Sequence, residues 1–181
     1  ETDRLYDMVE ELLDFSRMQN GLTLECEKLD LAAEVSDAVL TMTPRAMQEG
    51  LTLRWEEPEA PVPVHADAAR LKQVFINVLD NAVKYSPPGG TITVELLQDG
   101  HNAFLNFTDE GRGIAPEDLE NVKTKFYKGK GAVRGSGIGL AVVDEIVTAH
   151  GGSLNLQSEV GRVTTVTVRL PLEAPKAHSA E

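Results

Sequence analysis

Asn77 and Asn81 stand four residues apart in Asn77-Val78-Leu79-Asp80-Asn81-Ala82-Val83-Lys84-Tyr85. On a helix this spacing puts both carboxamides on one side, and Lys84 lies beside Asn81. Two neutral oxygen donors and an ammonium on one stripe suit Mg²⁺ and phosphate, with phosphate oxygens completing the metal's shell. An exposed polar face would read the same way, although asparagine is a poor helix former and a pair on one face has a cost. A second cluster, Asp109-Glu110-Gly111-Arg112-Gly113-Ile114, directly follows an apolar run. A carboxylate at a strand end can accept a hydrogen bond from an exocyclic amine such as that of adenine, and glycines let backbone approach a flat ring closely. A plain turn with a charged lip is the simpler alternative.

Gly135-Ser136-Gly137-Ile138-Gly139-Leu140 opens an apolar helical pattern. Such a turn offers free N–H groups and the positive end of a helix dipole to a phosphate. A dinucleotide fingerprint would need a preceding strand within a βαβ unit, whereas a polar loop precedes this one, and no Gly-Lys-Ser or Gly-Lys-Thr completes a P-loop. That polar loop carries Lys123, Lys125, Lys128, Lys130 and Arg134 with Phe126 and Tyr127. A basic patch between two candidate nucleotide-contact segments reads as a lid that closes on phosphates. A solvated loop is the plainer reading.

These clusters need elements to position them. Leu5, Met8, Leu12, Phe15 and Leu22 form a heptad-like stripe on a first helix ended by Asn20-Gly21, as expected of a helix that pairs with another. Alternation over 22–29 predicts a strand, with Cys26 half-buried on it. Asp30 and Asp67 are placed as N-caps of two helices, whose inward residues are Leu31, Val35, Ala38, Val39 and Met42 in one and Leu71, Val74, Phe75, Val78 and Leu79 in the other. Between them, 51–55 reads as a strand, and Pro58, Pro61 and Pro63 mark a stiff loop. Strands at 91–97 and 103–108 join across Asp99-Gly100 as a hairpin. A short helix from Pro116, a helix over 137–150, strands over 153–158 and 164–170, and a loose tail complete the order. Strands in adjacent pairs predict a two-layer α/β sandwich: a mixed, mostly antiparallel sheet covered on one face by helices and preceded by one long helix.

The 181 residues carry 17 basic against 29 acidic side chains, a net charge of -12. So acidic a surface repels phosphate backbones, which argues against nucleic acid as partner. The one cysteine has no disulfide partner and no metal-ligand cluster around it. No apolar run reaches the length of a bilayer span. The chain opens without Met inside a helix and reads as a piece of something longer.

The order of the clusters carries more than any one of them. A paired-asparagine helix, Asp-x-Gly-x-Gly after a strand, a basic lid and Gly-x-Gly-x-Gly at a helix start resemble the ATP-binding domain of sensor histidine kinases, within the gyrase, chaperone and mismatch-repair ATPase superfamily. The resemblance covers about residues 1–172. It implies a Bergerat-type ATP-binding fold over 21–172, the second helix of a dimerisation hairpin over 1–20, through Leu12-Leu13-Asp14-Phe15-Ser16-Arg17, and a flexible tail over 173–181. It implies ATP and Mg²⁺ as cofactors. Asn77 and Asn81 would be metal ligands, and Lys84 would reach a phosphate. Tyr85 would flank the nucleotide, Asp109 would receive the adenine amine, and Gly111, Gly113 and Ile114 would line the ring. Phe126 and Tyr127 would be the lid's aromatic pair, with Lys128 acting at the phosphates. Gly135, Ser136, Gly137, Ile138, Gly139 and Leu140 would form the hinge and phosphate turn, and Thr164 or Thr165 would close the adenine pocket. Asn77, Lys84 and Lys128 are the catalytic candidates.

The resemblance further implies a sensor protein-histidine kinase that transfers the γ-phosphoryl group of ATP to a histidine. Its partners would be a phosphoacceptor hairpin of the same protein, a response-regulator receiver domain and a second copy in the full-length homodimer. Its place would be cytoplasmic, in a membrane-anchored whole. Hydrolysing relatives carry a glutamate base where Asn77 stands; asparagine cannot take a proton, so the site should hold ATP for transfer. Three departures are visible. Val122-Lys123-Thr124 stands where a phenylalanine usually opens the lid motif. Lys128 replaces an arginine and loses planar bidentate contact. Val163 in Gly161-Arg162-Val163 stands where glycine is usual and would resist a positive φ. A regulatory, weakly transferring module is the alternative these departures leave open. None of His65, His101, His150 and His178 has the acceptor's context, so the chain is expected to bind Mg-ATP without autophosphorylating.

Overall fold

The structure, a computed structural model, describes residues 2–19, 21–111, 139–159 and 163–173. In chain order the elements are α1 (Thr2–Gln19), β1 (Glu27–Asp30), α2 (Leu31–Gln48), β2 (Thr52–Trp55), β3 (Pro63–Ala66), α3 (Ala68–Tyr85), β4 (Thr91–Gln98), β5 (Asn102–Asp109), α4 (Gly139–Ala149), β6 (Ser153–Glu159) and β7 (Val163–Pro171). The helix expected from Pro116 and the basic loop lie outside the described residues.

Period-two alternation builds the main sheet. On β5, Ala103, Leu105, Phe107 and Asp109 are buried, while Asn102, Phe104, Asn106 and Thr108 form the other, less buried row. Five strands pair in the order β2-β4-β5-β7-β6, all antiparallel except the β2–β4 pair. The predicted mixed, mostly antiparallel sheet is therefore present. Helices α2, α3 and α4 bring their apolar faces to one side of it: Val35 and Met42; Leu71, Val74, Phe75 and Leu79; Val143, Ile146 and Val147. Phe75 meets Phe107 at the centre, with ring centroids 6.3 Å apart.

Both predicted N-caps form, and each does more than cap. Asp30 Oδ1 accepts from the Ala32 N–H at 3.1 Å and also from the Val62 N–H at 2.9 Å, so it pins the loop before β3 onto α2. Asp67 Oδ1 accepts from Arg70 N–H at 3.2 Å, and Oδ2 accepts from Glu25 N–H at 2.9 Å. Burial opposes the charge on Asp67, but the backbone donors of Glu25, Arg70 and Ala69 outweigh it and hold the carboxyl below its ordinary range. The Asp67 N–H in turn donates to His150 Nε2 at 3.1 Å, while His150 Nδ1 lies 2.8 Å from the Ile146 carbonyl. A carbonyl can only accept, so Nδ1 carries the proton and Nε2 offers its lone pair. The segment before β1, the start of α3 and the end of α4 are thus tied at one node.

Several expectations are corrected. The stretch 22–29 is not one strand: only Glu27–Asp30 is, and it pairs with the unforeseen β3 in a separate two-stranded sheet, Glu27 opposite Ala66 and Asp30 opposite Pro63. Proline at the first position of β3 costs no central ladder bond, which is why a strand survives in a proline-rich stretch. Cys26 precedes β1 and is exposed, not half-buried. Leu22 does not continue the helical stripe: α1 ends at Gln19, and Leu22 packs against the core. Leu5 and Leu12 of that stripe remain exposed, with Tyr6, Val9 and Leu13. Val163 lies not in the turn but in β7, paired with Glu159, so no positive φ is demanded of it.

Gly152 leads α4 into β6 beneath β7. A Cβ there would collide with the Arg169 carbonyl oxygen, which is backbone and cannot rotate away. Gly152→Ala is expected to destabilise the chain by about 3 kcal/mol or more. Urea unfolding should show a lower midpoint at unchanged slope; an unaltered midpoint would mean that β6 and β7 are not held this close.

Candidate functional site

The candidate residues that the structure describes come from β5, α3 and β7, with Gly139 and Leu140 at the start of α4. The first is β5. Because the buried row runs Ala103, Leu105, Phe107, the next residue of that parity is Asp109, and the register sets a carboxylate at the end of an apolar row. Only 7% of Asp109 is exposed. Its Oδ1 accepts from the Gly111 N–H at 2.9 Å. Burial pushes the carboxyl up from 3.8 to about 6, and the Gly111 donor recovers only part of that.

Gly111 is required by space. A Cβ there would lie 2.5 Å from Asp109 Oδ1 and 2.8 Å from the Tyr85 carbonyl oxygen. Beyond the room it would leave for a flat ring, Gly111 lets the end of β5 fold over its own carboxylate against the end of α3. Tyr85 is thereby placed at the site's edge, half-buried, by its backbone.

The second element is α3. Asn77 and Asn81 are half-buried on its surface, on the one stripe that their spacing predicted. A Cβ on Gly139 would lie 3.8 Å from Asn81 Nδ2 and 3.9 Å from Oδ1, so the Asn81 amide faces the first residue of α4. Lys84 is not free: Nζ pairs with Asp80 Oδ2 at 2.9 Å, and Arg45 of α2 pairs with Asp80 Oδ1. Neither Asp80 nor Arg45 stood out in the sequence. The Asp80–Lys84 spacing, four residues on one helix, was a legible signal; Arg45 had none, because its contact is tertiary.

The third element is β7. Thr164 lies directly opposite Asp109 in the ladder, buried on the same face, and its Oγ1 is 3.0 Å from Ser158 Oγ. Thr165 points to the other face and meets Thr108 Oγ1 at 3.2 Å. Of the two threonines named as alternatives, Thr164 is the one beside Asp109. Leu140, at the start of α4, is buried. Gly113, Ile114, Phe126, Tyr127, Lys128, Gly135, Ser136, Gly137 and Ile138 lie outside the described residues.

A helix-covered mixed sheet, a buried strand-end carboxylate and paired amides on one helix together describe an ATPase-type α/β sandwich. Residues 66–174 match the family described as Histidine kinase-, DNA gyrase B-, and HSP90-like ATPase. The chain belongs to that family, as an ATP-binding catalytic domain of the sensor histidine kinase kind. It is similar to Histidine protein kinase DivJ of Caulobacter vibrioides, 34% identical over 174 residues that make up 93% of this chain and 29% of DivJ. It is likewise similar to Sensor-like histidine kinase SenX3 of Mycobacterium tuberculosis, at 33% identity over all of this chain and 45% of SenX3. The chain therefore spans less than half the length of these relatives. Among solved structures, the mycobacterial sensor histidine kinase MprB superposes with a TM-score of 0.70 at 31% identity, covering 82% of this chain and 98% of that one. Full-length ShkA in complex with AMPPNP gives 0.81 at 27% identity, covering 97% of this chain and 37% of ShkA.

Asp109 has a stability consequence of definite sign. An acid whose folded pKa is raised binds its proton more tightly in the folded chain, so its contribution is present below the unfolded value of 3.8 and lost as pH rises through about 6. At neutral pH the buried charge costs about 3 kcal/mol. Asp109→Asn keeps an oxygen for the Gly111 N–H and removes the charge. It is expected to raise neutral-pH stability by about 2 kcal/mol and to flatten the decline between about pH 4 and 7. Urea midpoints across that range test this; parallel curves for the two proteins would remove Asp109 as the source.

Proposed function

We propose that the chain binds Mg-ATP in the space bounded by Asp109, Thr164, Asn77, Asn81 and the start of α4, and donates the γ-phosphoryl group to a histidine on a dimerisation hairpin. The observation that carries this is the Asp109 carboxylate, buried at a net cost and facing the site with only the Gly111 N–H as a hydrogen-bond donor among the described residues. An adenine amine supplies the missing donor. The AMPPNP in the similar ShkA structure supports a nucleotide here.

In this reading Asp109 selects adenine, Thr164 closes its far side, and Gly111 keeps the carboxylate in place. Asn77 and Asn81 hold Mg²⁺. Their amide oxygens would serve as neutral ligands, with phosphate oxygens completing the shell. Lys84 reaches a phosphate by leaving Asp80. Lys128, with the aromatic pair Phe126 and Tyr127, belongs to the lid, and Gly135, Gly137 and Gly139 to its hinge. Asn77 offers no proton acceptor, so water is not activated there and the phosphoryl group waits for its histidine.

Residues 1–20 would then be one helix of the hairpin, 21–172 the catalytic domain and 173–181 a tail. The exposed Leu5, Val9 and Leu12 of α1 suit a helical partner. Further partners are a response-regulator receiver domain and a second copy of the protein. No described helix is long and apolar enough to cross a membrane, and the membrane anchor is proposed for the whole protein.

The test supplies the acceptor. Incubated with labelled Mg-ATP and a hairpin carrying its histidine, the chain is expected to label the hairpin and not itself; steady phosphate release without labelled histidine would instead mark an ATPase. ATP affinity is also expected to fall as pH drops through about 6, because the protonated carboxyl no longer accepts from adenine with full strength. Asp109→Asn should lose about ten-fold or more in affinity for ATP and for adenosine alike. Calorimetric titration measures both, and unchanged affinity for either ligand would put the adenine elsewhere.

A further inference from the structure

Asp80 sits between two cations of different character. Its side chain is 22% exposed, with Arg45 from α2 on Oδ1 and Lys84 from its own helix on Oδ2 at 2.9 Å. We propose that Arg45 and Asp80 are positioning residues that set how readily Lys84 leaves the protein for a phosphate of the bound nucleotide. The proposal rests on the nucleotide reading above and adds the device that makes Lys84 available.

Two exposed cations hold one half-buried carboxylate. If Lys84 were the sole counter-charge, its departure would leave Asp80 desolvated and unpaired, and that cost would be subtracted from ATP binding. With Arg45 in place the carboxylate stays compensated after Lys84 leaves. The residue types divide the work. Arg45 presents a planar, delocalised fork suited to a lasting pair, and it bridges α2 to α3. Lys84 carries a compact ammonium on a flexible stem, 32% exposed, and can swing without disturbing the backbone. The arrangement works as a parked cation whose parking place is independently neutralised.

The experiment is a double-mutant cycle read on two ligands, Mg-ATP and adenosine, the second having no phosphate for Lys84 to reach. Arg45→Met is expected to weaken Mg-ATP binding about three-fold while leaving adenosine unchanged, since Asp80 then holds Lys84 alone. Arg45→Lys, which keeps the charge but not the planar fork, is expected to fall between wild type and Arg45→Met. Asp80→Asn should release Lys84 and tighten Mg-ATP binding by about two-fold or more, and Arg45→Met should then have no further effect. In a Lys84→Met background, Arg45→Met should likewise do nothing.

An Arg45→Met effect that persists without Lys84, or that is equal for ATP and adenosine, would overturn the proposal and reduce the pair to a tie between helices. That outcome would leave the nucleotide site standing. Unchanged Mg-ATP affinity in Lys84→Met alone would remove Lys84 from the phosphates and take the proposal with it. Adenosine affinity measured in parallel separates this from a misplaced pocket. Urea midpoints for each variant distinguish loss of folding from loss of binding, and Asp80→Asn carries the test if Arg45→Met does not fold.

Discussion

A carboxylate buried at the end of an apolar row governs the architecture around it. Asp109 lies there because strand parity leaves no choice: the register that buries Leu105 and Phe107 also buries Asp109. The charge is costly, and the surroundings are shaped to keep it. Gly111 must lack a side chain so that its N–H can reach back to Oδ1, and the same absence lets the Tyr85 carbonyl come close. The end of α3 is therefore fixed relative to the end of β5, which sets where Asn81 and Lys84 stand. Ladder pairing brings Thr164 opposite. One unfavourable electrostatic position, retained, organises the helix, the strand ends and the space between them.

Much of this was legible because local and tertiary preferences agree. Asp30 and Asp67 cap where capping chemistry places them, and the inward faces of α2 and α3 are the residues that 3.6 periodicity selects. The β4–β5 hairpin follows its Asp-Gly turn. What was not legible depended on partners distant in sequence. Val62, Val64 and Ala66 alternate through β3 and the residue before it, but Pro61 and Pro63 outweigh that signal without β1 as an edge to pair with. The choice between Thr164 and Thr165 is a question of ladder parity, which a sequence cannot answer without the register. Leu22 matched the helical repeat numerically, yet the chain had already left the helix. Arg45 gave no sign because its partner lies on another helix.

A few polar side chains serve two elements at once. Asp30 holds both α2 and the approach to β3, while Asp67 holds α3 and the segment that follows α1. His150 joins the end of α4 to Asp67 through a neutral, tautomerically defined imidazole. Helix α4 begins at Gly139, against Asn81, and ends at this node. The element that closes one side of the candidate site is thus anchored at its far end to the chain that leads in from α1.

The single parallel pairing in the sheet has a consequence for how the molecule comes together. β4 and β5 close a short hairpin, and β6 and β7 likewise, so their ladders need little loop closure. β2 meets β4 only after the chain has passed through β3 and α3, so this edge needs long-range closure, as the still longer-range β5–β7 pairing does. Trp55, the one tryptophan, lies on that strand with its indole N–H on Ser36 Oγ of α2 at 2.9 Å. Its fluorescence is therefore an intrinsic optical marker of the contact between α2 and β2. Refolding followed by tryptophan emission reports this edge, while backbone circular dichroism reports the whole.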